Sequence, residues 1–136
     1  MTRVCIVGAG AIGGFLGTRL ALAGDCQVSA LARGATLAAL QQHGWRLDQD
    51  GQRFTAPARV ADRADALGPQ DLVIVAVKAH ALSGLAPALV PLLGERTVVL
   101  PAMNGVPWWF CEGRSDLPGG PLDSVDPGGR IARAIA

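Results

Sequence analysis

The chain has 136 residues, half of them apolar and 17% charged, a composition typical of one globular domain rather than a disordered segment. Its formal net charge of +1 provides no broad basic surface, so we expect neither nucleic acid nor an anionic membrane as a partner. No apolar run approaches the roughly 20 residues of a spanning helix, and the N-terminus lacks a signal-peptide pattern, so we expect a cytoplasmic protein.

Strand-like and helix-like patterns alternate in the first half of the chain. Continuous apolar runs indicate strands buried on both faces of a sheet, and apolar positions at helical spacing indicate helices. In chain order, these patterns predict a strand at residues 4–7, a helix at 11–23, a strand at 28–32 and a helix at 36–42. Alternating segments at 45–48 and 53–56 then flank Asp50-Gly51, which strongly favours a hairpin.

The second half returns to the same alternation. It predicts a short helix at residues 61–67, a strand at 71–77, a helix at 80–93, a strand at 97–100 and a short helix at 130–135. Pro87 and Pro91 interrupt the long helix, so we expect it to be kinked or to begin late. The whole pattern predicts an α/β fold of the Rossmann-like, doubly wound kind, with about five main parallel strands, helices on both faces and a small β-hairpin insertion.

A glycine-rich motif follows the first predicted strand directly and opens the first helix. Its members are Gly8, Ala9, Gly10, Ala11, Ile12 and Gly13. In a G-x-G-x-x-G loop of this kind, the first glycine makes a tight turn and the second lets the backbone approach a pyrophosphate. The third lets helix and strand pack closely. The motif in this context predicts a dinucleotide site, with a purely structural turn as the alternative.

Arg33 follows the second predicted strand, where NAD-binding proteins usually carry an acidic residue for the ribose 2′-hydroxyl. No Asp or Glu occurs at residues 28–44. An arginine can bind a 2′-phosphate through a bidentate fork, so the sequence favours NADP(H) over NAD. The alternative is a solvated surface arginine.

Lys78 and Asn104 each follow a later predicted strand. Lys78 is the only lysine of the chain, and it lies at the carboxyl edge of the sheet, where open α/β folds bind ligands. Asn104 precedes Gly105 on the same edge, and its amide can both donate and accept hydrogen bonds. Ordinary strand-end and turn chemistry remain the alternatives.

Three other features predict packing rather than chemistry. The three cysteines form no CxxC pair and no histidine lies at ligand spacing, so no metal is expected, and Cys5 and Cys26 are expected to be buried thiols. The aromatic run at residues 108–110 is expected to pack against a neighbour that this chain lacks. The segment at residues 123–127 is expected to form a loop and helix cap.

Taken together, these features resemble the N-terminal domain of the ketopantoate reductase (2-dehydropantoate 2-reductase) family. The glycine loop alone occurs in many families, but the ordered set is specific to this one. The matching marks, in order, are residues 8–14, Ala32-Arg33-Gly34, the hairpin around Asp50-Gly51, residues 75–79 and Asn104-Gly105.

The resemblance implies hydride transfer from NADPH to the ketone of a small-molecule 2-oxo acid, which yields a 2-hydroxy acid. It implies that the glycine loop and Arg33 hold the cofactor. It also implies that Lys78 and Asn104 act as catalytic and cofactor-binding residues beside the nicotinamide and the substrate.

The family places a proton-donating lysine and a substrate-binding glutamate in a helical second domain. We therefore expect residues 1–136 to be one NADP-binding domain, truncated before that domain and inactive alone. An exposed sheet edge should then be covered by the missing domain or by a homo-oligomer. Two alternatives remain: a non-catalytic, stand-alone dinucleotide-binding module, and an S-adenosylmethionine site, which suits Arg33 less well than a phosphate does.

Overall fold

The computed structural model describes residues 1–117, 119 and 122–135; Ala136, the last residue of the predicted domain, lies outside the described residues. The strands and α-helices, in chain order, are β1 (Thr2–Val7), α1 (Ala11–Ala23), β2 (Cys26–Leu31), α2 (Gly34–His43), β3 (Trp45–Gln49), β4 (Gln52–Ala56), β5 (Arg59–Ala61), β6 (Gln70–Val75), α3 (Ala79–Leu85), β7 (Leu93–Pro101) and α4 (Arg130–Ala134). There are also three short 3₁₀ segments: Ala64–Ala66 after β5, Ala86–Leu92 directly after α3, and Pro127–Gly129 directly before α4. None of the helices in this part of the chain has the length and apolar character needed to cross a membrane.

Five strands form one parallel sheet in the order β5-β2-β1-β6-β7. The strand order runs from β1 to β2 and β5 on one side and then from β1 to β6 and β7 on the other, and helices cover both faces. This is the doubly wound arrangement that the sequence predicts. Strands β3 and β4 form a separate antiparallel hairpin. Its turn places Asp50 at φ 52° and Gly51 at φ 75°, the positive angles that make an Asp-Gly pair favourable there.

Two apolar layers cover the faces of the sheet, because successive side chains of each central strand point to opposite sides. In β1, Val4 and Ile6 pack against α1, α2 and the hairpin. Cys5 and Val7 pack on the other face, against α3, the 3₁₀ segment Ala86–Leu92 and α4. All four side chains are buried, as the continuous apolar run predicts.

Two segments differ from the sequence-based predictions. In place of the predicted helix at residues 61–67, the structure has the last residue of β5 and, after a short loop, the single 3₁₀ turn Ala64–Ala66. A three-residue strand is too short to show a period, so pairing with β2 decides its conformation. The predicted helix at 80–93 is α-helical only to Leu85, then tightens into the 3₁₀ segment, which contains Pro87 and Pro91, residues that cannot donate the helical hydrogen bond.

Strand β7 forms one edge of the sheet, and one of its faces is largely uncovered. Val98 pairs with Leu72 and Leu100 pairs with Ile74, so these two side chains lie on the face that α1 covers elsewhere. They are nevertheless 60% and 49% exposed. One apolar face of this edge strand is therefore exposed, and its outer edge pairs with no other strand of the described residues.

The aromatic run at residues 108–110 only partly follows its prediction. Trp109 and Phe110 are exposed, but Trp108 is buried in the core formed with α4 and lies edge-on to Trp109. The expectation that the whole run packs against a missing neighbour is wrong for Trp108. Its indole belongs to the same core as Leu93 and Val99 of β7.

Candidate functional site

The loops that follow β1, β6 and β7 leave the sheet together at its carboxyl edge. Backbone hydrogen bonds continue the sheet by one residue: Gly8 N donates to Leu31 O at 3.2 Å, Ala76 N to Val7 O at 2.8 Å and Ala102 N to Val75 O at 2.8 Å. Because the strands are parallel, all these loops open on one side, the usual place for a ligand in an open α/β sheet.

The three glycines of the loop between β1 and α1 have different surroundings. Gly8 has φ +85°, and a β-carbon there would lie 2.7 Å from Val77 Cγ1, so both conformation and space require glycine. A β-carbon at Gly13 would lie less than 3.0 Å from the carbonyl oxygen of Gly8 and 3.1 Å from Ile6 Cγ2. At Gly10, in contrast, a β-carbon would meet nothing within 4 Å. The fold therefore explains Gly8 and Gly13, whereas the open space at Gly10 suits the close approach of a ligand to the backbone.

Helix α1 starts at this open space, and no side chain nearby compensates for its free amides or for the positive end of its dipole. No side chain caps its N-terminus, and its first turn contains no acidic residue. The first amides of a helix have no intrahelical acceptor, and they lie at the positive end of the helix dipole. The residues present thus fit a phosphate group: they offer backbone donors, positive potential and no side chain in the way.

A cavity of about 440 Å³, here called the glycine-loop cavity, meets this loop at Gly8. Gly10 lines a separate cavity of about 490 Å³ on the side of the hairpin. Apart from Arg33 the lining of the glycine-loop cavity is backbone and apolar side chain, contributed by the ends of β1 and β2, the loop after β6 and helix α3. The lining residues are Val7, Gly8, Leu31, Ala32, Arg33, Val77, Ala81, Gly84 and Leu85. Such a lining can accept a flat aromatic ring, with a cation at one end for an anionic substituent.

Arg33 lies where β2 ends and α2 begins. It is the N-cap residue of α2, its backbone is extended, and its side chain is exposed. None of the ion pairs among the described residues involves it. Like α1, helix α2 has neither a side-chain cap nor an acidic residue in its first turn. The guanidinium and the first amides of α2 together form a donor set suited to a phosphate.

Arg33 also lines a second cavity of about 570 Å³, the Arg33 cleft, which shares Leu31, Arg33 and Leu85 with the glycine-loop cavity. The turn after β5 contributes Asp62, Arg63, Ala64 and Asp65 to its wall. Strand β2 and the residues after it contribute no carboxylate to the cleft, as their sequence indicates, but the turn after the neighbouring strand β5 contributes two. Local sequence around Arg33 does not reveal them, because they lie about thirty residues further along the chain.

Lys78 and Asn104 occupy equivalent positions after neighbouring strands. Val75 of β6 pairs with Pro101 of β7, and each of the two residues lies three positions beyond its strand's paired residue. Both side chains are exposed at the carboxyl edge, and Lys78 is the N-cap residue of α3. The structure thus brings the predicted residues to one edge: Gly8 and Ala9 are half-buried, Gly13 is buried, and Gly10, Ala11, Ile12, Arg33, Lys78 and Asn104 are exposed.

The thiol of Cys5 is buried, as predicted, and lies outside this edge. The same prediction is wrong for Cys26, which is only partly buried because the first half of β2 is less covered than the second. Burial raises the pKa of Cys5 to about 11, against smaller opposing effects of hydrogen bonds with Ser29 and Leu31. A neutral thiol in the middle of the sheet packs as a small apolar group. In the described part of the chain, no three His, Cys, Asp or Glu side chains are grouped so that they could hold a metal ion.

Comparison with known families gives one match over most of the chain. The family described as ketopantoate reductase PanE/ApbA matches residues 4–107. This range includes the glycine loop, Arg33, Lys78 and Asn104.

Individual proteins agree with that match. The chain is 48% identical over 134 residues to a 2-dehydropantoate 2-reductase of Mesorhizobium japonicum, an alignment that covers 98% of this chain and 41% of that protein. It superposes with a TM-score of 0.94 on a candidate ketopantoate reductase from Ralstonia solanacearum MolK2, with 58% identity over 99% of this chain and 42% of the other. A 2-dehydropantoate 2-reductase from Porphyromonas gingivalis W83 has a TM-score of 0.70 and 31% identity, over 76% of this chain and 39% of the other. The chain therefore spans less than half the length of these relatives.

Proposed function

Because this chain belongs to the ketopantoate reductase PanE/ApbA family, we propose that it provides the NADPH-binding part of a reductase that converts a ketopantoate-like 2-oxo acid into a 2-hydroxy acid. Residues 1–136 form the cofactor-binding domain in this proposal. The rest of the reaction machinery belongs to the additional length that the relatives possess.

The contrast between Gly10 and its two neighbouring glycines is the observation that carries this proposal. Packing within the chain explains Gly8 and Gly13, but nothing within 4 Å explains the missing side chain at Gly10. A pyrophosphate lying against the uncapped start of α1 accounts for it, because that ligand needs the backbone to be accessible.

Arg33 supports NADPH rather than NADH as the cofactor. Its guanidinium lies at the end of β2, beside the glycine-loop cavity and free of ion pairs among the described residues. A 2′-phosphate placed there would receive a bidentate pair from Arg33 and amide donors from the first turn of α2. A 2′-hydroxyl would leave most of these donors unused.

Lys78 and Asn104 are proposed to act at the nicotinamide end. Bound NADPH supplies the hydride for the carbonyl carbon of the substrate. The ammonium of Lys78 offers three donors to a carbonyl or carboxylate oxygen, and the amide of Asn104 can donate to one group while accepting from another. Because they follow two neighbouring strands, β6 and β7, we expect them to contact the same substrate.

The exposed face of β7 supports a partner for this domain. Val98 and Leu100 leave apolar surface uncovered on a strand whose outer edge has no neighbour among the described residues. We propose that the additional segment found in the relatives, or a second copy of the chain, covers this surface.

The cofactor proposal is tested by titrating the 136-residue chain with NADPH and with NADH and following the fluorescence of the dihydronicotinamide. We expect NADPH to bind more tightly. Arg33→Ala should weaken NADPH about 10- to 100-fold, as expected for hydrogen bonds to a charged group, and leave NADH nearly unchanged. Arg96→Ala is the control, since Arg96 is exposed near the amino end of β7, on the far side of the sheet from the loops. Equal affinities for the two cofactors in the unchanged chain would contradict the assignment of NADPH.

A further inference from the structure

Strand β5 places a second arginine beside Arg33. Leu31 of β2 pairs with Ala61 of β5, and Ala32 N donates to Ala61 O at 3.0 Å. Arg33 and Arg63 each lie two residues beyond these paired positions, on neighbouring parallel strands. Both side chains line the Arg33 cleft.

Among the described residues, the side chain of Arg63 has one partner, the exposed carboxylate of Asp65. Its Nη2 donates to Asp65 Oδ2 at 2.6 Å and its Nε to Asp65 Oδ1 at 3.1 Å. The two side chains are 74% and 54% exposed, so water screens the pair and it contributes little to the stability of the fold. The guanidinium can therefore exchange this carboxylate for a better acceptor at small cost.

The charges of the cleft make a second cation important for binding an anion. Arg33 and Arg63 carry one positive charge each, and Asp62 and Asp65 one negative charge each, so the four side chains sum to zero. With Arg33 alone, a phosphate of charge near −2 would face two carboxylates and one cation. A phosphate also offers three terminal oxygens, more acceptors than one guanidinium fork can use.

We propose that Arg63 is a second ligand of the 2′-phosphate and, with Arg33, determines the preference for NADPH. This inference rests on the proposed function and extends it to a residue on a different strand. Binding transfers the guanidinium of Arg63 from Asp65 to the phosphate or shares it between them. Asp65 thus keeps Arg63 in the cleft while no phosphate is present.

A double-mutant cycle distinguishes direct binding of the 2′-phosphate by Arg63 from a simpler role, in which Arg63 only neutralises the charge of Asp65. The variants are Arg63→Ala, Asp65→Asn and the two combined, each titrated with NADPH and NADH at one fixed ionic strength. We expect Arg63→Ala to weaken NADPH about 10-fold or more and to change NADH less than about 2-fold. In the Asp65→Asn background, Arg63→Ala should still weaken NADPH about 5-fold or more, because the contact with the phosphate is lost there as well.

The chain offers a matched control for losing an exposed Arg–Asp pair. Arg114 donates to Asp116 with the same spacing of two residues and nearly the same geometry, with Nη2 to Oδ2 at 2.7 Å and Nε to Oδ1 at 3.2 Å. Neither residue lines the Arg33 cleft. Arg114→Ala should therefore leave both cofactors unaffected. Circular dichroism and thermal melts of every variant identify any loss of folding.

The outcomes distinguish the inference from the function on which it rests. If NADPH binds with a preference that depends on Arg33 but not on Arg63, this inference is overturned and the proposed function stands. The inference is likewise overturned if the effect of Arg63→Ala disappears in the Asp65→Asn background, because Arg63 then acts only by neutralising Asp65. If the unchanged chain binds neither NADPH nor NADH, both proposals fail together.

Discussion

The six-membered ring of Trp45, on β3, lies in the space that a side chain at Gly17, on α1, would occupy. A β-carbon at Gly17 would come within 3.0 Å of three ring carbons. Trp45 is one of the largest fully buried side chains, and it joins the hairpin to the layer beneath α1. This contact anchors the hairpin insertion to the helix that carries the glycine loop.

Replacing Gly17 with alanine should destabilise the protein. Alanine favours a helix by about 1 kcal/mol over glycine, but the displaced indole is enclosed and costs about 1–3 kcal/mol to repack. We expect a net loss of up to about 2 kcal/mol in the free energy of unfolding by urea. Gly14→Ala is the matched control on the same helix, because its nearest neighbour would be Ala9 O at an ordinary 3.7 Å. A Gly17→Ala protein as stable as the Gly14→Ala protein would contradict the assigned contact.

Alanine at Gly10 and at Gly13 should have opposite consequences. Gly10 has φ −75° and open space around it, so Gly10→Ala should fold with stability within about 0.5 kcal/mol of the original yet bind NADPH at least 10-fold more weakly. Gly13→Ala forces a β-carbon against the carbonyl oxygen of Gly8, so it should lose about 2 kcal/mol or more of stability. Urea denaturation and NADPH titration of both variants measure the contrast. Unchanged cofactor binding in Gly10→Ala would contradict the phosphate assignment.

Asp126 should be essential to helix α4. Its carboxylate is fully buried and accepts from Ile131 N at 2.8 Å and Ala132 N at 3.0 Å. Asp126→Ala leaves two amides of the first helical turn without this acceptor, and we expect a loss of about 2 kcal/mol. Asp126→Asn retains one oxygen acceptor and should lose less. Thermal melts give the order, and equal loss in both variants would indicate that the charge, rather than the hydrogen bonds, is what matters.

Cys5 should resist alkylation in the folded protein. With a pKa of about 11, only about one Cys5 thiol in a thousand is ionised at pH 8, and the thiolate is the reactive form. Burial in the sheet also excludes the reagent. Mass spectrometry after iodoacetamide treatment should show Cys26, which is partly exposed, modified well before Cys5. In urea all three cysteines should react, and equal native rates for Cys5 and Cys26 would contradict this prediction.

The parallel sheet was largely predictable because its central strands carry their own signal. Residues 4–7 and 72–77 are continuous apolar runs, and both form buried strands, the second ending two residues early, at Val75. Helix α1 has the predicted bounds because Gly10 and Gly24 flank apolar positions at helical spacing, even though Gly13, Gly14 and Gly17 within it are weak helix formers. The hairpin follows from Asp50-Gly51 and the alternating segments on either side of it. The predicted helix cap near residues 123–127 is confirmed at Asp126.

Features that depend on contacts between distant residues were not predictable. Strand β5 exists because it pairs with β2, and its three residues contain no period of their own. The acidic residues beside Arg33 come from that same strand and turn, so no inspection of the residues around Arg33 finds them. Gly17 has no motif to mark it, because the reason for it is an indole twenty-eight positions later in the chain.

Under the proposed function, the place of β5 next to β2 has a practical consequence for redesign of cofactor preference. Exchanging only the segment around Arg33 for its counterpart from an NADH-dependent enzyme would leave Asp62, Arg63 and Asp65 unchanged against the new residues. The ribose of the adenosine would then face residues from two sources, the exchanged segment suited to NADH and the unchanged turn suited to NADPH. A graft intended to switch cofactors in this scaffold should therefore move both turns together as a single unit.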